Sequence, residues 1–164
     1  RLGCAPARVA LAHDAQGAPQ IAAPACALHM SLSSRDSIGA FALGARPVGV
    51  DVEIVGPAFA PPWGVLHARE RRMIEADADA HRTFLRIWTA KEAYLKALGV
   101  GLAREPAEIE IRLGEGPMFD VWDAGRKAAS AQARSLIVAH GAAHCALAWV
   151  ELEAPHEKMR DISR

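Results

Sequence analysis

VGVDVEIV, residues 48–55, alternates without a break. Val48, Val50, Val52 and Ile54 fall on one face of an extended chain, and Gly49, Asp51 and Glu53 on the other. Such a run predicts a half-buried strand. Its two carboxylates stand about 7 Å apart along the strand. Like charges this close are costly unless a cation neutralises them. Oxygen ligands so placed suit magnesium, which takes one or two carboxylates and fills its shell with water and phosphate oxygens. Gly49 leaves room beside them. The same pair also describes the exposed polar face of an edge strand.

Upstream, residues 26–33 (CALHMSLS) alternate, with Leu28, Met30 and Leu32 on one face and His29, Ser31 and Ser33 on the other. Residues 38–43 (IGAFAL) form a second short strand, and the turn at 44–47 makes VGVDVEIV the return arm of a hairpin. Residues 1 to 25, punctuated by Gly17, Pro19 and Pro24, read as loop-rich. Downstream, Pro57, Pro61 and Pro62 break the pattern. A charged helix follows over 65–76 and a better one over 81–98, capped by Gly99. Period two returns at 108–113 and 117–122, and a last hairpin joins 135–140 to 145–152. The tail from Pro155 is polar and expected to fray. Strands, helices, then strands again predict an α+β fold of antiparallel hairpins.

The chain has 164 residues, 51% of them apolar, enough for one domain or a compact pair of half-domains with a real core. Acidic and basic side chains balance at 19 each, against the basic excess of a nucleic-acid or membrane-surface binder. Three cysteines, Cys4, Cys26 and Cys145, form no Cys-x-x-Cys pair, so neither a disulfide framework nor a cysteine zinc site is expected, and a reducing cytoplasmic setting is. No apolar run is long enough to span a bilayer and no signal peptide is visible. The sequence opens on Arg1, as a processed or excised chain would.

The helix over 84–98 (FLRIWTAKEAYLKAL) carries one apolar stripe of Phe84, Ile87, Trp88, Tyr94, Leu95 and Leu98. Lys91 falls near the middle of that stripe, where an unpaired ammonium is expensive. It must reach water along its stem or meet an anion. Glu92 and Lys96 lie four residues apart on the border of the stripe; alone they would make an ordinary surface pair. A third carboxylate between two lysines is what a metal ion and a diphosphate would together require.

Gly-Val-Asp-Val-Glu (49–53) with Trp-Thr-Ala-Lys-Glu-Ala-Tyr-Leu-Lys (88–96) resembles the paired signature of the 4'-phosphopantetheinyl transferase superfamily, spaced as in its larger, surfactin-synthetase-activating type. GVGL (99–102) and MSLSSRDSIGAF (30–41) extend the resemblance, which covers the chain from about Gly17 to Ile111. It implies a pseudo-dimer of two α+β halves with the site at their junction. Residues 1–47 would be a shortened first half, 48–154 the half carrying the metal motifs, and 155–164 a tail. Asp51, Glu53 and Glu92 would hold Mg²⁺ against the diphosphate of coenzyme A. Lys91 and Lys96 would grip phosphate oxygens, with Ser31 and Arg35 also on the nucleotide. A serine of an apo acyl or peptidyl carrier protein would attack, 3',5'-ADP would leave, and Glu92 or a water on the metal would take the proton. Glu92 and Lys96 would be the catalytic residues. Glu70 resembles a recurrent glutamate of the family near the site; a solvated helix position is its alternative.

The chain departs from the family where Ser31-Leu32 stands for a Ser-His pair and Ala18-Pro19 for Lys-Pro. The missing histidine is one expected at the nucleotide 3'-phosphate, so the adenosine end of the site is weakened while the pyrophosphate end is kept, and Arg35 is the nearest substitute. Elsewhere, His140 and His144 read as turn residues. Arg69, Arg71 and Arg72 read as a solvated face or a docking patch for an acidic carrier. Trp63, Trp122 and Trp149 read as packing, and Cys145 as a buried thiol. The competing readings are a non-catalytic coenzyme A or carrier-binding relative, a magnesium-dependent phosphohydrolase and a structural domain.

Overall fold

A computed structural model describes residues 2–15, 17–57, 60–100, 103–128, 133–140 and 143–153, His140 through its backbone alone. The GVGL run therefore lies partly, and the tail from Pro155 wholly, outside the described residues. Ten strands and two α-helices are defined among these residues: β1 (Ala10–His13), β2 (Pro19–Ala23), β3 (His29–Arg35), β4 (Ile38–Gly44), β5 (Val48–Ile54), α1 (Ala68–Ala76), α2 (Ala80–Leu98), β6 (Ile109–Leu113), β7 (Phe119–Asp123), β8 (Arg126–Lys127), β9 (Ala133–His140) and β10 (Ala143–Glu151). The pairings are antiparallel: β1 with β2, β3 with β4, β6–β7–β8, and β5–β10–β9. This is the expected α+β layout. No helix among the described residues is long and apolar enough to cross a membrane.

The helices start and stop where the chain supplies partners for their end groups. His67 caps α1: its Nδ1 accepts from the Arg69 amide, while Glu70 Oε2 accepts from the His67 amide at 2.7 Å. Asp79 caps α2, accepting from the Arg82 amide at 3.2 Å. Gly99, at φ 70°, ends α2 in the left-handed conformation that glycine adopts without a Cβ penalty.

The expectations for β5, for residues 1–25 and for Trp63 need correction. β5 is not the return arm of a hairpin with β4; it pairs with β10 along Val48–Ile54, and β4 pairs with β3. Residues 10–23 hold a hairpin, closed by the Asp14 carboxylate accepting from the Ala18 amide at 2.8 Å. On β3 the serine face turns inward: Ser31 is 4% exposed and Leu32 45%. The Ser31 and Ser33 hydroxyls accept from the Val50 and Val52 amides at 3.1 and 3.3 Å, satisfying the edge of β5 with side chains where a neighbouring strand would use carbonyls. Trp63, expected in packing, is exposed; Trp122 lies under the Arg112 guanidinium, and Trp149 is half-buried.

α2 packs on the face of the β5–β10–β9 sheet that carries Gly49, Asp51 and Glu53. Ala90, Ala93 and Ala97 meet Ala133, Ala146 and Ala148 there, and small side chains let helix and sheet approach closely. The approach is closest at Gly49, where an added Cβ would lie 1.9 Å from the Ala93 carbonyl oxygen and 2.6 Å from the Ala97 nitrogen. α1 and β6 cover the other side of α2, and the Tyr94 hydroxyl, donating to Asp123 Oδ2 at 2.8 Å, ties it to β7.

Candidate active site

Seating α2 on β5 brings the two sequence blocks into one cleft. Asp51 is 5% exposed, and Glu53, Glu92 and Lys96 are half-buried around it. Lys96 Nζ donates to Asp51 Oδ1 at 2.7 Å and to the Val50 carbonyl at 3.3 Å. The Ser33 hydroxyl donates to the same Oδ1 at 2.7 Å. Arg35 Nε pairs with Glu53 Oε2 at 3.2 Å. The cleft, about 610 Å³, is lined by Ser33, Arg35, Phe41, Asp51, Glu53 and Lys96. A smaller recess of about 210 Å³ on the other side of Lys96 is lined by Ala18, Ser31, Leu32 and Gly99.

Two carboxylate oxygens here have no hydrogen-bond partner among the described residues: Asp51 Oδ2 and Glu92 Oε1, both buried. Unsatisfied buried oxygens are costly, and a site built for a cation tolerates them. Burial pushes the Glu92 carboxyl up, the charges of Asp51 and Glu53 add to the rise, and Lys96 opposes it. Glu53 is likewise raised, by burial first, against the pull of Arg35. The donor set is all oxygen and suits a hard divalent ion. As the side chains stand, no group of three or more His, Cys, Asp or Glu among the described residues is drawn together on one point.

Not every expected residue comes to this cleft. Lys91, expected on a phosphate, is fully buried elsewhere. Its ammonium pairs with Glu70 Oε2 at 2.9 Å and donates to the carbonyls of Pro106 and Ile109. An ammonium has three donors, and all three are used. Glu70, also 0% exposed, accepts in addition from the His67 and Ile111 amides. The reading of Lys91 as a phosphate ligand is thereby corrected: the anion it meets in the apolar stripe is Glu70. The solvated alternative for Glu70 falls with it. Ser31 reaches the recess wall with its hydroxyl taken by the Val50 amide. Arg35 lies on Glu53 at the carboxylate end of the cleft, so the structure gives no support to its role as a 3'-phosphate substitute. Ser33 was missed, although its place two residues from Ser31 on an alternating strand put it on the same face.

The sequence profile of the 4'-phosphopantetheinyl transferase superfamily matches residues 47–148. The chain belongs to the 4'-phosphopantetheinyl transferase superfamily. Among similar superfamily proteins, the L-aminoadipate-semialdehyde dehydrogenase-phosphopantetheinyl transferase of Schizosaccharomyces pombe is 36% identical over 76 residues, 42% of this chain and 30% of that protein. The 4'-phosphopantetheinyl transferase HetI of Nostoc is 31% identical over 120 residues, 68% of this chain and 50% of its own length. The chain thus spans half or less of these two relatives. A crystal structure of Thermotoga maritima holo-[acyl-carrier-protein] synthase aligns with a TM-score of 0.47 at 22% identity, over 65% of this chain and 64% of that one.

Proposed function

We propose that the protein transfers the 4'-phosphopantetheine group of coenzyme A to a serine of an apo acyl or peptidyl carrier protein, with Mg²⁺, releasing 3',5'-ADP. The observation that carries this reading is the facing of Asp51 and Glu53 on β5 by Glu92 and Lys96 on α2, with two buried carboxylate oxygens left unpaired. Asp51, Glu53 and Glu92 would hold Mg²⁺, which when bound neutralises diphosphate charge and polarises the phosphoryl group. Lys96, open to the cleft, donates to a phosphate oxygen and stabilises charge that grows in the transition state. Glu92, beside Asp51 and Lys96 in the cleft, is also the proton acceptor in this reading. It takes the serine proton as the new phosphorus–oxygen bond forms and the bond to the departing ADP oxygen breaks.

In this reading the β1–β4 segment, within residues 1–47, is the partial first half of a pseudo-dimer of the larger family type. Residues 48–154 form the second half, 155–164 a tail, and the enzyme works in the cytoplasm.

The test is to incubate the protein with coenzyme A, Mg²⁺ and an apo carrier, then weigh the carrier. A pantetheinyl mass gain that chelation of the metal abolishes is the expected result. Cleaved coenzyme A with an unchanged carrier would make the protein a hydrolase, and binding with neither change would make it an inactive relative.

A further inference from the structure

The two cations nearest the acidic cleft stand on two of the carboxylates that a metal ion would use, each beside an oxygen the ion would take. Lys96 covers Asp51 Oδ1 and Arg35 covers Glu53 Oε2. A divalent ion at hydrogen-bond range of a bound ammonium meets strong repulsion, because like charges a few ångströms apart are poorly screened in a partly buried site. The ion therefore has to displace Lys96 and Arg35 from the carboxylates. Both have somewhere to go: the Lys96 side chain is 28% exposed and lines both the cleft and the recess beside it, and the Arg35 side chain is 60% exposed. Glu92 keeps a buried oxygen with no hydrogen-bond partner among the described residues, and the three carboxylates are not gathered on one point. Both features describe a site held open in a form that is neutralised internally.

We propose that Lys96 and Arg35 are place-holding cations: they neutralise Asp51 and Glu53 until a ligand binds and are released to phosphate oxygens when ion and diphosphate arrive together. This rests on the reading that the cleft takes both. The ion alone then binds weakly, because it breaks two ion pairs and gives the freed cations no new partner. The diphosphate supplies that partner. By linkage, each ligand tightens the other by the same factor.

The experiment titrates Mn²⁺ into the protein, alone and with saturating pyrophosphate, following free ion by electron paramagnetic resonance. Lys96→Met is expected to bind Mn²⁺ alone about five- to tenfold more tightly than wild type, the lower range of ordinary coupling between sites. Arg35→Met should tighten it about two- to threefold, as the loss of an exposed pair allows. The tightening of Mn²⁺ by pyrophosphate, large in wild type, should shrink in Lys96→Met. Arg126→Met, which removes a positive charge from the exposed β8, should change neither and so excludes a general charge effect. Wild-type or weaker binding of Mn²⁺ alone by Lys96→Met overturns the exchange. If wild type still binds Mn²⁺ with pyrophosphate in that case, the proposed function stands. Wild type that takes up Mn²⁺ neither alone nor with pyrophosphate overturns both.

Discussion

Gly49→Ala is expected to destabilise the protein by about 3 kcal/mol or more, at the upper end of what overpacking costs. The new methyl would sit 1.9 Å from the Ala93 carbonyl oxygen and 2.6 Å from the Ala97 nitrogen. Both obstacles are backbone, so neither can swing aside as a side-chain tip does. Helix α2 must lift off β5, and lifting it breaks the alanine packing beneath. It also withdraws Lys96 from Asp51 and Glu92 from the cleft. Urea unfolding gives the stability, and Mn²⁺ titration below the transition gives the site. The expected outcome is loss of both, with the ion affinity falling even in the folded fraction. Near-normal stability would mean that α2 does not rest on the β5 backbone.

Lys91→Met is expected to cost about 3–5 kcal/mol at pH 7 to 8, the penalty for leaving one partner of a buried ion pair uncompensated. Glu70 would then be a carboxylate with no exposure and no counter-charge. Its amide donors from His67 and Ile111 remain, but they do not cancel its charge. The penalty should depend on pH. Burial already pushes the Glu70 carboxyl up, and the Lys91 charge is the largest force holding it down. Without Lys91 it rises further. A carboxyl raised in the folded state contributes stability that is fully present below its unfolded value, about 4.3, and lost as pH climbs through the folded value. The gap between wild type and Lys91→Met should therefore be small near pH 4 and widen toward neutrality. Thermal unfolding across that range measures it. A gap independent of pH would mean that the lost packing of the lysine stem outweighs its charge.

Much of the site was legible because periodicity reports which residues share a face. The alternation of 48–55 put Gly49, Asp51 and Glu53 together, and the helical wheel of 84–98 put Glu92 beside Lys96. Neighbours are a different matter. Alternation does not say which strand lies alongside, and β5 pairs with a strand nearly a hundred residues downstream in preference to the adjacent β4. Alternation likewise left open which face of β3 is buried: the serines turn inward, where their hydroxyls satisfy the amides of an edge strand. Lys91 shows the limit most clearly. An ammonium in an apolar stripe demands an anion, but the demand does not name one. Glu70 answers it from α1, with the carbonyls of Pro106 and Ile109 completing the shell. The β1–β2 hairpin escaped notice because strands of 4 and 5 residues, one starting at a proline, carry little periodic signal.

The central claim is that Asp51, Glu53 and Glu92 act as one ion site. Mn²⁺ titration in the presence of coenzyme A, on wild type and on Asp51→Asn, Glu53→Gln and Glu92→Gln, tests it most directly. The account predicts a single ion per chain, weakened at least about tenfold by each substitution and released as the pH falls and the ligands take up protons. Because burial raises Glu53 and Glu92, that release should begin at a higher pH than for ordinary carboxylates. Ion binding that survives any two of the three substitutions unchanged would contradict it.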